Sequence, residues 1–206
     1  MLIQSGALPL NIEQLEVRTI SATLGEDALS TSMTAAIIGV LLVILFMIIM
    51  YRLPGAVASL ALLIYILIDL FLLAVIPGVQ LTLPGIAGIV LSIGMAVDAN
   101  VIIFERVKEE LKAGKTVRAS VESGFKRAFT AILDSNITTI IAGVVLMIFG
   151  AGSIKGFAIT LTIGVVASMF TAVVVTRFLL HQMVGLNLTN HGLYGVKEVK
   201  AKEGNA

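Results

Sequence analysis

Charged residues are unevenly spread along the chain: the stretches 28–51, 53–68, 70–97, 135–154 and 156–176 contain no Asp, Glu, Lys or Arg. About 20 consecutive apolar residues, rising about 1.5 Å each, cross a bilayer as a helix. The pattern predicts five spans, near 34–51, 55–76, 83–104, 129–149 and 156–178. The interruptions have local causes. Arg52-Leu53-Pro54-Gly55 reads as a tight turn with a proline at the start of the next helix, Pro77-Gly78 and Pro84-Gly85 bracket a second loop, and Phe149-Gly150-Ala151-Gly152-Ser153 makes a third hairpin.

The flanking segments have other periodicities. Between Ile12 and Ile20, Leu15 and Val17 alternate with Glu16 and Arg18, the signature of a half-buried strand. A lone strand needs partners, so Met1 is expected to begin a fragment, with residues 1–33 forming the end of an exported domain and a short polar lead-in helix from Glu26 to Thr34. The polar approach to the first span lacks the basic start and small-residue cleavage site of a signal peptide. In 105–127, Val107, Leu111, Val117, Val121 and Phe125 stand among charges, which predicts amphipathic helices on the membrane surface, broken at Gly114. Residues 34–180 form the predicted bundle, and the polar tail 181–206 is expected to be loosely ordered.

Composition agrees with lipid as the solvent. Hydrophobic residues make up 58% of the 206 and charged residues 13%, against roughly 25% charged in a soluble domain. The predicted class is an all-α integral membrane protein, a five-span transmembrane helix bundle with a short exported N-terminal β segment. There is no cysteine, and the only histidines, His181 and His191, lie in the tail. No catalytic site, metal site or nucleic-acid partner is therefore expected. The net charge of +1 hides an asymmetry: Arg18 and Lys155 fall on one side of the predicted membrane and the other twelve Lys and Arg on the opposite side. Cytoplasmic loops carry the basic excess, which predicts an exported N-terminus and a cytoplasmic C-terminus.

Small residues recur at every fourth position in three spans: Gly88, Ser92, Ala96 and Asn100; Ala131, Ser135, Thr139 and Gly143; and Gly156, Thr160, Gly164, Ser168, Ala172 and Thr176. Such stripes let helix backbones approach closely where lipid offers no hydrophobic drive for association. The bulkier first span is expected at the periphery.

Three acids, Asp69, Asp98 and Asp134, fall within spans. A charge at mid-membrane costs roughly 2.5–3.5 kcal/mol on the insertion scale, which makes each a functional candidate. Asp98 and Asp134 lie at matching depth, about 10–12 Å inside the nearest basic residues Arg106 and Arg127. Helical periodicity puts Glu105 on the face of Asp98, and Arg127 and Thr138 on the face of Asp134, a ladder suited to relaying protons. Asp69 is placed to reach the membrane interface if its helix tilts. Asn100 and Asn136 face about 160° away from the neighbouring acids and suit interhelical hydrogen bonds.

The text around these acids closely resembles the SecD family of protein-export membrane subunits: Leu83-Pro-Gly-Ile-Ala-Gly-Ile89, Gly94-Met-Ala-Val-Asp98-Ala-Asn100-Val-Ile-Ile-Phe-Glu105-Arg106, Asp134-Ser-Asn136-Ile-Thr-Thr139, Ile154-Lys-Gly-Phe-Ala158 and Ser168-Met-Phe-Thr171. The opening Leu2-Ile-Gln-Ser-Gly-Ala-Leu-Pro9 looks like the end of that family's exported domain. The resemblance implies part of a six-helix bundle of the resistance-nodulation-division (RND) superfamily in the bacterial cytoplasmic (inner) membrane. It implies SecF and the SecYEG channel as partners, YajC and YidC as further candidates, a secreted polypeptide as substrate, and surrounding lipid. Protons would be the coupling ion, with no other cofactor. The family's key intramembrane acid falls on Asp98, and the polar pair opening the next span on Asp134 and Asn136. Asp69 maps to no family motif.

An RND exporter of small molecules or lipids is the alternative. An intramembrane aspartic protease fits poorly, because Met95 and Val97 stand where its Gly-x-Gly-Asp motif needs glycines, and a passive scaffold leaves Asp98 unexplained.

Overall fold

The computed structural model describes residues 22–77, 79, 81–185 and 191–195. The predicted strand at 12–20 lies outside them. Five helices are long and apolar enough to cross a membrane. They are α1 (Ala22–Tyr51), α2 (Leu53–Val75), α3 (Leu83–Lys112), α4 (Val117–Phe149) and α5 (Ser153–Phe170), the last prolonged through a π-helical turn (Thr171–Thr176) into α6 (Arg177–Gly185). A 3-10 turn, His191–Tyr194, follows.

Caps and turns set the boundaries. Arg52, between α1 and α2, takes a positive φ of 52°, and Pro54 stands in the first turn of α2. Gly55 lies against the Met47 carbonyl, where a Cβ would collide with backbone. Thr82 caps α3 by accepting from the Gly85 N–H at 3.1 Å, and Thr116 caps α4 by accepting from the Ala119 N–H at 3.4 Å. Gly114, at φ 86°, makes the α3–α4 turn.

The short polar lead-in helix expected from Glu26 to Thr34 is the start of α1, continuous with the first span, with Ser30 and Thr34 hydroxyls donating to the Asp27 and Ser30 carbonyls. Two expectations are corrected. The 105–127 stretch forms no amphipathic helices separate from the spans. It is the charged ends of α3 and α4, whose Val107, Leu111, Val117, Val121 and Phe125 are buried in one apolar cluster. The tail is ordered at Tyr194, which is buried in the same cluster as Met47, Tyr51 and Leu180, while the Arg52 guanidinium donates to the Gly192 carbonyl at 2.7 Å.

α3 lies at the centre, packed on α4 and α5, with α2 against α5 and the π turn. α1 lies outermost, and Ile37, Leu41, Leu45 and Phe46 on it are exposed to lipid. Antiparallel connectivity gathers the Arg52 turn, the α3–α4 turn and α6 at one basic end.

Candidate functional site

Which face of each helix is buried decides where the polar residues point. On α3, Gly88, Ser92, Ala96, Ala99, Asn100 and Ile103 are buried, and Gly88 and Ser92 form the seam with α5. On α5, Gly156, Thr160, Gly164 and Ser168 are buried. The stripes meet closely. A Cβ on Gly88 would stand 2.5 Å from Oγ1 of Thr160, and one on Gly164 would collide with the side chain of Ser92. Thr160 donates to the Gly85 carbonyl across the seam at 3.0 Å, and the Tyr65 hydroxyl on α2 donates to Ser92 Oγ at 2.8 Å. Gly143 on α4 faces Thr162 in the same way.

The two asparagines turn inward. Asn100 Oδ1 accepts a buried hydrogen bond from Thr176 at 2.8 Å, while Asn136 donates to the Ile132 carbonyl of its own helix at 2.7 Å. Asp98 and Asp134 are each two residues, hence about 200° of helix, away from these asparagines. Both acids are exposed on the outside of the bundle, as are Glu105, Arg127 and Thr138.

Among the described residues, the Asp98 and Asp134 carboxylates accept no hydrogen bond and form no ion pair. The side chains of the expected ladder do not pair with one another among the described residues. The Thr138 hydroxyl donates to the backbone carbonyl of Asp134 at 3.0 Å, Glu105 pairs with Lys108 at 3.2 Å, and Arg127 pairs with Glu110 at 2.8 Å. Arg127 is thus directed at α3 and not at Asp134. Asp69 reverses its expectation: its side chain is turned into the bundle, only 1% exposed, with Oδ1 unpartnered among the described residues.

Glu110 did not stand out in the sequence as a site. It lies beyond the apolar stretch of α3, only 3% exposed, between Lys115 at 2.5 Å and Arg127 at 2.8 Å. The Lys115 hydrogen bond holds its carboxyl below the ordinary glutamate range against the opposing effect of burial, assisted by the Arg127 charge. Its one sequence signal is position: Glu110 continues the buried face of Ile103 and Val107.

Residues 4–185 match the family described as protein export membrane protein SecD/SecF, C-terminal. The chain belongs to the SecD/SecF family. It is 56% identical over 209 residues to a protein translocase subunit SecD of Acidaminococcus fermentans, covering 99% of this chain and 49% of that one. To a protein translocase subunit SecD of Synechocystis it is 55% identical over 178 residues, 86% of this chain and 38% of that one. The chain thus spans about half or less of these SecD relatives. The crystal structure of SecDF from Thermus thermophilus, described as a translocon-associated membrane protein, superposes with a TM-score of 0.79 at 44% identity, over 82% of this chain and 24% of that one. The SecD/SecF match therefore falls on the family's C-terminal membrane part, and the bundle around Asp98 has the family fold.

Proposed function

We propose that this chain acts as the proton-responsive membrane part of a SecD-type subunit, which works with SecF beside SecYEG and uses the proton-motive force to promote movement of secreted polypeptides. The observation that carries the reading is the placement of Asp98. It is a carboxylate within an apolar span of a SecD/SecF-family bundle, exposed on the outer face and without a partner among the described residues. Left against lipid it is costly; covered by a second bundle bearing complementary groups, it becomes a site whose charge state sets how the two pack. The buried Asn100 and the tight α3–α5 seam behind it give Asp98 a rigid backing.

A proton moving down the membrane potential releases about 2.3 kcal/mol per 100 mV. That is comparable to burying or freeing one Asp charge on the insertion scale, so one titrating carboxyl suffices to bias a two-state packing. Asp134 and Thr138 serve as a secondary station. The membrane is the bacterial inner membrane, with the basic end of the bundle cytoplasmic.

Proton-dependent stimulation of export in a full-length, SecF-containing complex tests this. Asp98→Asn keeps the size and removes the titration; it should assemble and lose that stimulation, with Asp134→Asn less affected. Stimulation at the parental level in Asp98→Asn returns Asp98 to a structural role.

A further inference from the structure

At the basic end of the bundle a groove of about 380 Å3 opens between α3, α4 and the π turn. Its floor is apolar, with Phe129 and Val173 accessible above the buried Ile103 and Ile132, and its rim carries Lys126, Arg177 and Glu122. These rim charges are uncommitted. The ion pairs at this end join Arg106 to Glu109, Lys108 to Glu105, and both Lys115 and Arg127 to Glu110. Among the described residues none involves Lys126, Arg177 or Glu122, and all three are exposed. Arg127 is occupied across the α3–α4 hairpin, while Lys126, one residue and about 100° away around α4, borders the groove. The π turn contributes Val173 to the floor and ends immediately before Arg177.

The arrangement has the two parts of a phospholipid. From Lys126 to Ile132 is about 9 Å along α4, so the groove runs from the charged border into the apolar span. Two cations and one carboxylate leave the rim at +1, which a single phosphodiester balances. A choline headgroup, being zwitterionic, leaves that charge unbalanced and offers Glu122 no hydrogen-bond donor. A glycerol headgroup is neutral beyond its phosphate, and its hydroxyls can donate to Glu122. We propose that this groove is a specific site for one phospholipid of the phosphatidylglycerol class, its phosphate held by Lys126 and Arg177, its headgroup hydroxyls by Glu122, and an acyl chain over Phe129 and Val173. The assignment requires that the bundle lie in a bilayer and is independent of how the acids work.

Native mass spectrometry of the chain released from bilayer discs of phosphatidylglycerol and phosphatidylcholine in equal parts tests it. The parent should retain one phosphatidylglycerol in preference to phosphatidylcholine. Lys126→Gln/Arg177→Gln should weaken retention roughly thirtyfold, taking about 1 kcal/mol for each basic residue near the surface. Lys112→Gln/Arg118→Gln removes equal charge elsewhere on the basic end and should leave retention unchanged. Equal loss in both double variants reduces the effect to general surface attraction and overturns the site, as does indiscriminate retention of phosphatidylcholine by the parent. Circular dichroism and thermal unfolding confirm that each variant is folded. Should the glutamine pair unfold, Lys126→Arg/Arg177→Lys keeps both charges and must retain the lipid for the assignment to stand.

Discussion

The hydroxyl of Thr176, the last residue of the π turn, donates a buried 2.8 Å hydrogen bond to Oδ1 of Asn100 on α3, 76 residues earlier. This bond joins the irregular stretch of the fifth span to the turn of α3 that also carries Asp98. Hydrogen bonds of this kind are worth little net, yet leaving one partner buried and unsatisfied costs about 1–3 kcal/mol. Thr176→Val keeps the shape and removes the donor, so it should destabilise the bundle by about that amount in thermal unfolding in detergent. Thr176→Ser should retain most of the stability. Equal melting of the valine and serine variants would mean that the bond is dispensable.

Two glycines of α3 and α5 are predicted to behave in opposite ways. A side chain at Gly164 meets Ser92 and the Tyr65 hydroxyl, whereas a Cβ at Gly94 meets nothing within 4 Å. Gly164→Leu should therefore cost about 1–3 kcal/mol through overpacking, or prevent assembly. Gly94→Ala should instead stabilise by roughly 0.5–1 kcal/mol, since glycine is a poor helix former. Gly164→Leu as stable as the parent in detergent melts would separate α3 from α5 and sink the seam.

The Glu110 clamp predicts acid sensitivity. Its carboxyl is held below the ordinary value of 4.5, so it contributes stability that is fully present above that value and lost as pH falls through its folded-state value. Melting temperature should hold between pH 7 and 5 and decline below about 4.5. Glu110→Gln should show a lower plateau and a shallower acid decline. Parallel acid profiles for the two proteins would show that other carboxylates govern that limb.

The orientation is open to labelling in intact cells with an impermeant thiol reagent. With cysteine introduced singly, Ile20→Cys should react and Lys112→Cys should not, because the basic excess keeps the α3–α4 turn inside. The reverse pattern overturns the topology.

Asp69 gives a counter-intuitive stability test. Its buried carboxyl has an unpartnered oxygen among the described residues, and replacing such a group by an apolar side chain of similar size is often neutral or stabilising. Asp69→Leu should melt at or above the parental temperature. A marked loss would reveal a polar partner that Asp69 needs.

Hydrophobic spacing and the Gly and Pro breaks determined the five spans, their turns at Arg52, Gly114 and Gly150–Gly152, and the small-residue stripes of α3 and α5, because lipid selects for length and apolarity, properties local to each segment. Ala131 and Ser135 of the α4 stripe are, by contrast, exposed. The Asp98 and Asp134 motifs were likewise legible as text. Which acid faces inward was not, since a helical period fixes the angle between Asp98 and Asn100 but leaves their shared rotation to the neighbouring helices. Packing against α5 and the π turn put Asn100 inside and Asp98 outside, and packing of α2 buried Asp69, which its depth alone had placed near the interface. The Glu110 clamp and the docked Tyr194 were decided in the same way, by contacts between segments distant in the chain, to which no local pattern of apolar and polar residues refers.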